Sequence, residues 1–130
     1  MNNLENIKKG IISKTINGES FSLPEFVTNV QDFCLGLRLT HWETNGFALH
    51  KAAEEIQGSL EDSLDAFVEA CVGMNEGKRP SFNGSVNKNT DPDKLIDFLK
   101  GISVRDTSLL NIRDEMLQAL YKFKYLKTLS

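Results

Sequence analysis

The chain has 130 residues, of which 40% are hydrophobic and 25% are charged, and its net charge of −3 is mild. This size and composition predict one globular domain, residues 1–130, and the charge provides no general attraction to nucleic acid or to a membrane surface. No apolar run reaches the length of a membrane span, and the polar start M-N-N-L-E-N does not resemble a signal peptide. We therefore expect a cytoplasmic protein that has no membrane partner.

Residues 1–21 are predicted to form an N-terminal arm. Its apolar residues have helical spacing, which permits a short amphipathic helix: Leu4, Ile7, Ile11 and Ile12. The arm is locally basic, with lysines at Lys8, Lys9 and Lys14. Such a group beside acidic residues is more typical of a solvated face than of a nucleic-acid site, so nucleic acid is not an expected partner.

The first long helix is predicted to begin after Ser22. A hydroxyl at Ser22 with Glu25 three residues on forms a capping box. Apolar residues then recur at helical spacing to about Trp42. Asn45 and Gly46 are typical turn residues and should end the helix there.

The second long helix is predicted from Phe47 to about Val72, with Gly73 as its stop. Its apolar residues trace a single stripe: Leu49, Ala53, Ile56, Leu60, Leu64, Phe67 and Cys71. We expect this stripe to face the core.

The short turn makes these two helices antiparallel neighbours. Residues equidistant from Asn45 then lie side by side, so His41 is expected near His50. The same geometry places Cys34 far from Cys71, and we expect two buried free thiols rather than a disulfide or a metal pair.

The remaining chain predicts a polar loop at residues 74–90 and two further helices. A short helix capped by Thr90 or Asp91 ends at Gly101, and a longer one opens at Asp106 and continues to the end of the chain. No segment has convincing strand character. The expected fold is all-α: a four-helix bundle with a short third helix and a long loop between helices 2 and 3.

A histidine and several acids share the second helix opposite its apolar stripe. On a wheel of about 100° per residue they fall on one face: His50, Glu54, Glu61, Asp62, Asp65 and Glu69. Imidazole and carboxylate together suit iron, manganese or zinc. The alternative interpretation is that these acids form the solvated face of an amphipathic helix and have no ligand.

Axial distance divides this candidate site into two halves. His50 and Glu54 are one turn apart, and so are Asp65 and Glu69, but His50 and Asp65 are separated by about 22 Å along the helix. The halves can meet only if two copies of the helix pack antiparallel about a two-fold axis near Gly58. The pattern therefore predicts a homodimer, or a higher homo-oligomer, through helix 2.

Residues 33–73 resemble the Dps family, ferritin-like proteins that oxidise and store iron and often protect DNA. The resemblance lies in His-Trp at the end of a first helix, a short Gly-containing turn, and a histidine followed by acids four, fifteen and nineteen residues on. It implies Fe(II) oxidation at sites shared between two subunits. The implied ligands are His50 and Glu54 of one subunit, Asp65 and Glu69 of its mate, and His41 completing the shell.

The segments H-W-E-T, F-V-E and L-L-N-I-R-D-E-M are similar to an uncharacterised small ferritin-like family of bacteriophages and large DNA viruses. If the protein is viral, its expected location is the cytoplasm of the host cell. The chain departs from typical Dps proteins in having its histidines three residues closer and Glu54 where Asp is usual. A non-catalytic bundle protein for assembly or host-factor binding remains the alternative function. Trp42 is expected in the core or a dimer contact, although the resemblance also permits electron transfer.

Overall fold

The structure, a computed structural model, describes residues 21–129. Within that range it contains four helices and no strand: α1 (Leu23–Glu43), α2 (Phe47–Met74), α3 (Pro92–Lys100) and α4 (Thr107–Lys127). The predicted all-α four-helix bundle is confirmed, together with its short third helix and the long loop at residues 75–91. The helix suggested near the N-terminus lies outside the described residues.

Three of the four helices begin at the side-chain caps that the sequence predicts. Ser22, Asp91 and Asp106 each accept a hydrogen bond from a backbone N–H two or three residues on, at 3.0–3.2 Å. These bonds satisfy amide groups that have no partner inside the helix. α2 begins after Gly46 without a side-chain cap.

The prediction that Gly73 ends α2 is wrong. Gly73 lies inside the helix, which continues to Met74. The reversal comes at Glu76 and Gly77, whose φ values of 54° and 85° lie in the left-handed region. The Gly77 N–H then bonds the Val72 carbonyl at 2.9 Å, which closes the helix end.

The long loop crosses α1 before α3 begins. The Asn89 N–H donates to the backbone carbonyl of Asp32 at 3.0 Å, near the middle of α1. Further along α3, the ring of Phe98 lies 6.2 Å from that of Phe26, near the start of α1. α3 therefore runs antiparallel to α1 and parallel to α2.

α4 returns along α2 and completes an up-down-down-up order with one long crossover. Asp106 at its start is close enough to Cys71 to raise the pKa of that thiol, and Lys122 near its end forms a 2.5 Å ion pair with Glu55. α2 therefore packs between α1 and α4, and α3 contacts both α1 and α4.

One hydrophobic core joins the four helices. Phe26 of α1 stacks on Phe67 of α2 with ring centroids 4.1 Å apart, and Phe33 meets Phe123 of α4 edge to face. The predicted α2 stripe is buried from Ala53 onward, with Leu49 only partly covered. Burial of such side chains is the main stabilising term for a domain of this size.

Gly36 is required by the crossover. A Cβ built there would lie 1.9 Å from the carbonyl oxygen of Asn89, which belongs to the backbone of the loop. Only a residue without a side chain lets the loop pass this close to α1.

Candidate metal centre

Both histidines of the chain meet at the turn between α1 and α2. Their rings stack with centroids 3.8 Å apart and planes 21° from parallel. The His41 Nδ1 lies 3.0 Å from the His50 carbonyl oxygen, and the His50 Nδ1 lies 2.7 Å from the His41 carbonyl oxygen. The prediction that the antiparallel turn brings these two residues together is confirmed.

These contacts determine where each imidazole carries its proton. A carbonyl oxygen only accepts, so both Nδ1 atoms must donate. In the neutral rings the lone pair is then on Nε2, and within residues 21–129 neither Nε2 has a hydrogen-bond partner. Metal-binding histidines have this arrangement, with one nitrogen held by a carbonyl and the other directed at the ion.

The pair also has a purely structural role. The His41 carbonyl lies in the last turn of α1, where carbonyls lack an N–H partner from their own helix. The His50 ring supplies that partner. The stacked pair therefore fastens the end of α1 to the start of α2, whether or not an ion is bound.

Glu54 lies on the next turn of α2 and is exposed. The Lys51 ammonium donates to its carboxylate at 3.2 Å. That hydrogen bond and the charge of Lys51 lower the pKa of Glu54, and the nearby imidazoles of His41 and His50 lower it further. The charges of both rings thus act on the Glu54 carboxylate, whose partner in the single chain is Lys51.

Asp65 and Glu69 are exposed on the same helix face but far from the histidines. Neither carboxylate forms an ion pair or hydrogen bond with another side chain of residues 21–129. Over that same range, no three His, Cys, Asp or Glu side chains gather into a group that could hold a metal ion. One chain brings His41 and His50 together, with Glu54 on the next turn of α2, and a shared site between two chains stays a prediction.

Sequence reasoning missed a side-chain cluster that joins α1 to α2 and contains Arg38, Trp42 and Gln57. The buried amide of Gln57, oriented to satisfy both groups, accepts from the guanidinium of Arg38, whose carbon lies 5.6 Å from the centre of the Trp42 ring. Trp42 is 65% exposed, so it does not pack in the core of this chain, and the alternative expectation of a dimer contact stays a prediction. Helical spacing alone could not reveal this, because Trp42 lies at the end of α1, beyond the part of the core that α2 covers.

Residues 41–126 match DUF5856, a family of unknown function. The chain belongs to this family. The match extends over about two thirds of the chain and begins at the first histidine of the stacked pair. No curated protein and no solved structure matches the chain.

The segment shared with DUF5856 contains every predicted ligand: His41, His50, Glu54, Asp65 and Glu69. It also includes the whole of α2, α3 and the loop between them. Among the helices of residues 21–129, none is both long enough and apolar enough to span a lipid bilayer.

Proposed function

We propose that this protein binds a divalent transition metal, with iron as the first candidate and manganese or zinc as alternatives, at the histidine end of α2. The observation that carries the proposal is the pair of stacked imidazoles. Both Nδ1 atoms are engaged with backbone carbonyls, so the Nε2 lone pair of each ring is available to an ion. Glu54, on the next turn of α2, would add a carboxylate oxygen.

A second copy of the chain would complete the coordination. Two imidazoles and one carboxylate leave positions that Asp65 and Glu69 of an antiparallel partner would fill. These two carboxylates are exposed and have no cationic side-chain partner within the described part of the chain. Bringing them against another acidic face without a cation is costly, so metal binding and self-association should be coupled.

The helix order gives independent but weaker support. A bundle with one long crossover is the topology of ferritin-like proteins, several of which hold metals between facing helices. Fold likeness alone does not establish function, and the argument therefore depends on the imidazole pair. When bound, Fe(II) would supply an electron to oxygen or peroxide, and the chain would hold the ion and balance its charge. We place this activity in the cytoplasm. If the protein is viral, this is the cytoplasm of the host cell.

Anaerobic Fe(II) titration tests this proposal, with the only tryptophan as reporter. Trp42 follows His41 directly, so an ion on the imidazoles should quench its fluorescence. We expect saturable quenching for the wild type, and affinity at least tenfold weaker for His50→Ala and for Asp65→Asn. Admission of air should then produce Fe(III) faster with the wild type than with either variant.

The matched control is Asp62→Asn. Asp62 is an exposed aspartate on the same helix, three residues from Asp65, and it is not a predicted ligand. It should bind Fe(II) like the wild type. Equal quenching by the wild type, His50→Ala and Asp65→Asn would refute the metal site.

A non-catalytic role in assembly or host-factor binding is the second candidate. Its specific support is the pair of exposed aromatic side chains at the α1–α2 turn, Trp42 and Phe47. Exposed aromatic side chains of this kind are enriched at protein interfaces. A chain that self-associates through this end while showing no saturable Fe(II) binding would favour this candidate over the first.

A further inference from the structure

The first residue of α2 exposes a large apolar side chain. Phe47 is 76% exposed, and no other ring of the described chain packs against it. On the helix wheel it lies about 60° from His50, which is the direction of Asp65 and close to that of Glu54. An aromatic side chain therefore stands at one end of the acidic face.

The other end of the same face contains an apolar groove. It has a volume of about 500 Å³ and lies between the last turns of α2 and the loop that follows. Its apolar walls are Val68, Val72, Pro80 and Phe82. Val72 lies about 40° from His50 on the wheel, so the groove opens on the face that also bears Phe47.

The two features are related by the register of the helix. Phe47 and Val72 are equidistant from the 59–60 peptide, and they lie about 38 Å apart along α2. The same midpoint pairs the four predicted α2 ligands: His50 with Glu69, and Glu54 with Asp65. An antiparallel copy of α2 that brings the half-sites together therefore also places its Phe47 over Val72.

We propose that the exposed face of α2 docks onto a second copy of this chain, with Phe47 of each copy seated in the Val68–Val72 groove of the other. The inference deepens the proposed function, because a cation is needed to bring the acidic centres together. Lys51 lies on the edge of the face that would meet Glu69 of the second copy, which adds a complementary charge at each end. Two equivalent aromatic contacts then flank the metal half-sites.

Gly58 fits the same arrangement. It lies beside the proposed two-fold axis, and a Cβ built on it would meet no atom of the chain within 4 Å. Nothing in the single chain therefore requires glycine in the middle of this helix, where it is unfavourable. A second helix crossing at this point would require it.

Sedimentation equilibrium in Mn²⁺, which avoids oxidation, tests the docking. The wild type should form a dimer, and Phe47→Ser should raise the dimer Kd about 100-fold, since two symmetric aromatic contacts are lost. The control is Tyr125→Ser, because Tyr125 is a similarly exposed aromatic residue on α4. It should dimerise like the wild type. Circular dichroism confirms that each variant keeps its helices.

Different variants distinguish a failure of the docking from a failure of the metal site. Phe47→Ser changes no predicted ligand, and His50→Ala changes no wall of the groove. A wild type that stays monomeric in Mn²⁺, or a Phe47→Ser variant whose dimer Kd stays within threefold of the wild type, overturns the docking. A His50→Ala variant that binds Mn²⁺ as tightly as the wild type overturns the metal site and leaves the docking intact.

Discussion

At the turn between α1 and α2, the hydrogen bonds of the two Nδ1 atoms determine which nitrogen of each histidine can bind a ligand. Each Nδ1 is held by the carbonyl of the other residue, and each Nε2 is left to an external partner. An imidazole without such a hydrogen bond would rotate in solvent, and its Nε2 would have no fixed orientation. The pair is thus preorganised, which lowers the conformational entropy cost of binding an ion.

The two thiols have the opposite character. Burial raises the pKa of Cys34 and of Cys71 to about 12 each, and the nearby carboxylates of Glu61 and Asp106 add to the respective shifts. Thiolates are the reactive form, so neither cysteine should react readily with alkylating reagents in the folded protein at neutral pH. The cysteines are core side chains and have no part in the proposed site.

We predict that these thiols make the fold sensitive to alkali. Above about pH 9 the unfolded chain loses thiol protons that the folded chain keeps until about pH 12. The free energy of unfolding should therefore fall by about 1.4 kcal/mol per pH unit for each thiol in that window, with no such loss below it. Urea unfolding measured from about pH 8 to 11 checks the slope.

The comparison chain is the Cys34→Ala, Cys71→Ala double variant. It should be less stable at every pH because two small cavities are created, but its stability should fall less steeply with pH. If its slope equals that of the wild type, thiol ionisation is not the cause of the alkaline loss.

Among the helices, local signals were predictable and contacts between distant segments were not. The caps at Ser22, Asp91 and Asp106 and the break at Asn45 depend on neighbouring residues, so the sequence indicates them directly. The Gly73 stop was wrong because the left-handed residues that end α2 lie further on.

The Gly36 contact and the Lys122–Glu55 ion pair depend on which segments meet in space. The spacing of residues along the sequence could not predict these two contacts. The candidate site divides in the same way. The pairing of His41 with His50 follows from a short turn, whereas any approach of Asp65 depends on a second chain.

Two helical glycines give a matched test of this distinction. At Gly36 an added Cβ would lie 1.9 Å from the Asn89 backbone, which cannot move aside without displacing the loop, whereas at Gly58 it would meet nothing. We predict that Gly36→Ala lowers the free energy of unfolding by about 2 kcal/mol or more. Gly58→Ala should raise it by up to about 1 kcal/mol in the metal-free monomer.

Chemical denaturation of both variants at low protein concentration, with a chelator present, measures these two effects. Low concentration keeps self-association out of the comparison. Equal stability of the two variants would contradict the close passage of the loop over α1.

On the scale of the whole molecule, the crossover decides the order of the bundle. The loop joins the end of α2 to the start of α3, and it is attached to α1 on the way. The Asn87 N–H donates to the Asp32 carboxylate at 2.8 Å, and Asn89 donates to the backbone carbonyl of the same residue. These two bonds place the start of α3 so that it runs back along α1.

We predict that Asp32→Ala loosens this crossover without unfolding the helices. Only the Asn87 bond is lost, since the backbone carbonyl at position 32 still accepts from Asn89. The free energy of unfolding should fall by about 1 kcal/mol, the usual net value of one hydrogen bond. Amide hydrogen exchange in residues 83–89 should accelerate by about tenfold, because that segment has few other contacts and can open locally.

Two further variants test whether the Asp32 carboxylate is the cause of the protection. Asp32→Asn keeps an acceptor oxygen at the same place and should restore most of the protection of residues 83–89. Asp62→Ala removes an exposed acid from α2, where it contacts no part of the loop, and should leave exchange there unchanged. If Asp32→Ala leaves exchange in residues 83–89 at the wild-type rate, the carboxylate does not hold the crossover. The passage beside Gly36 would then be what places α3.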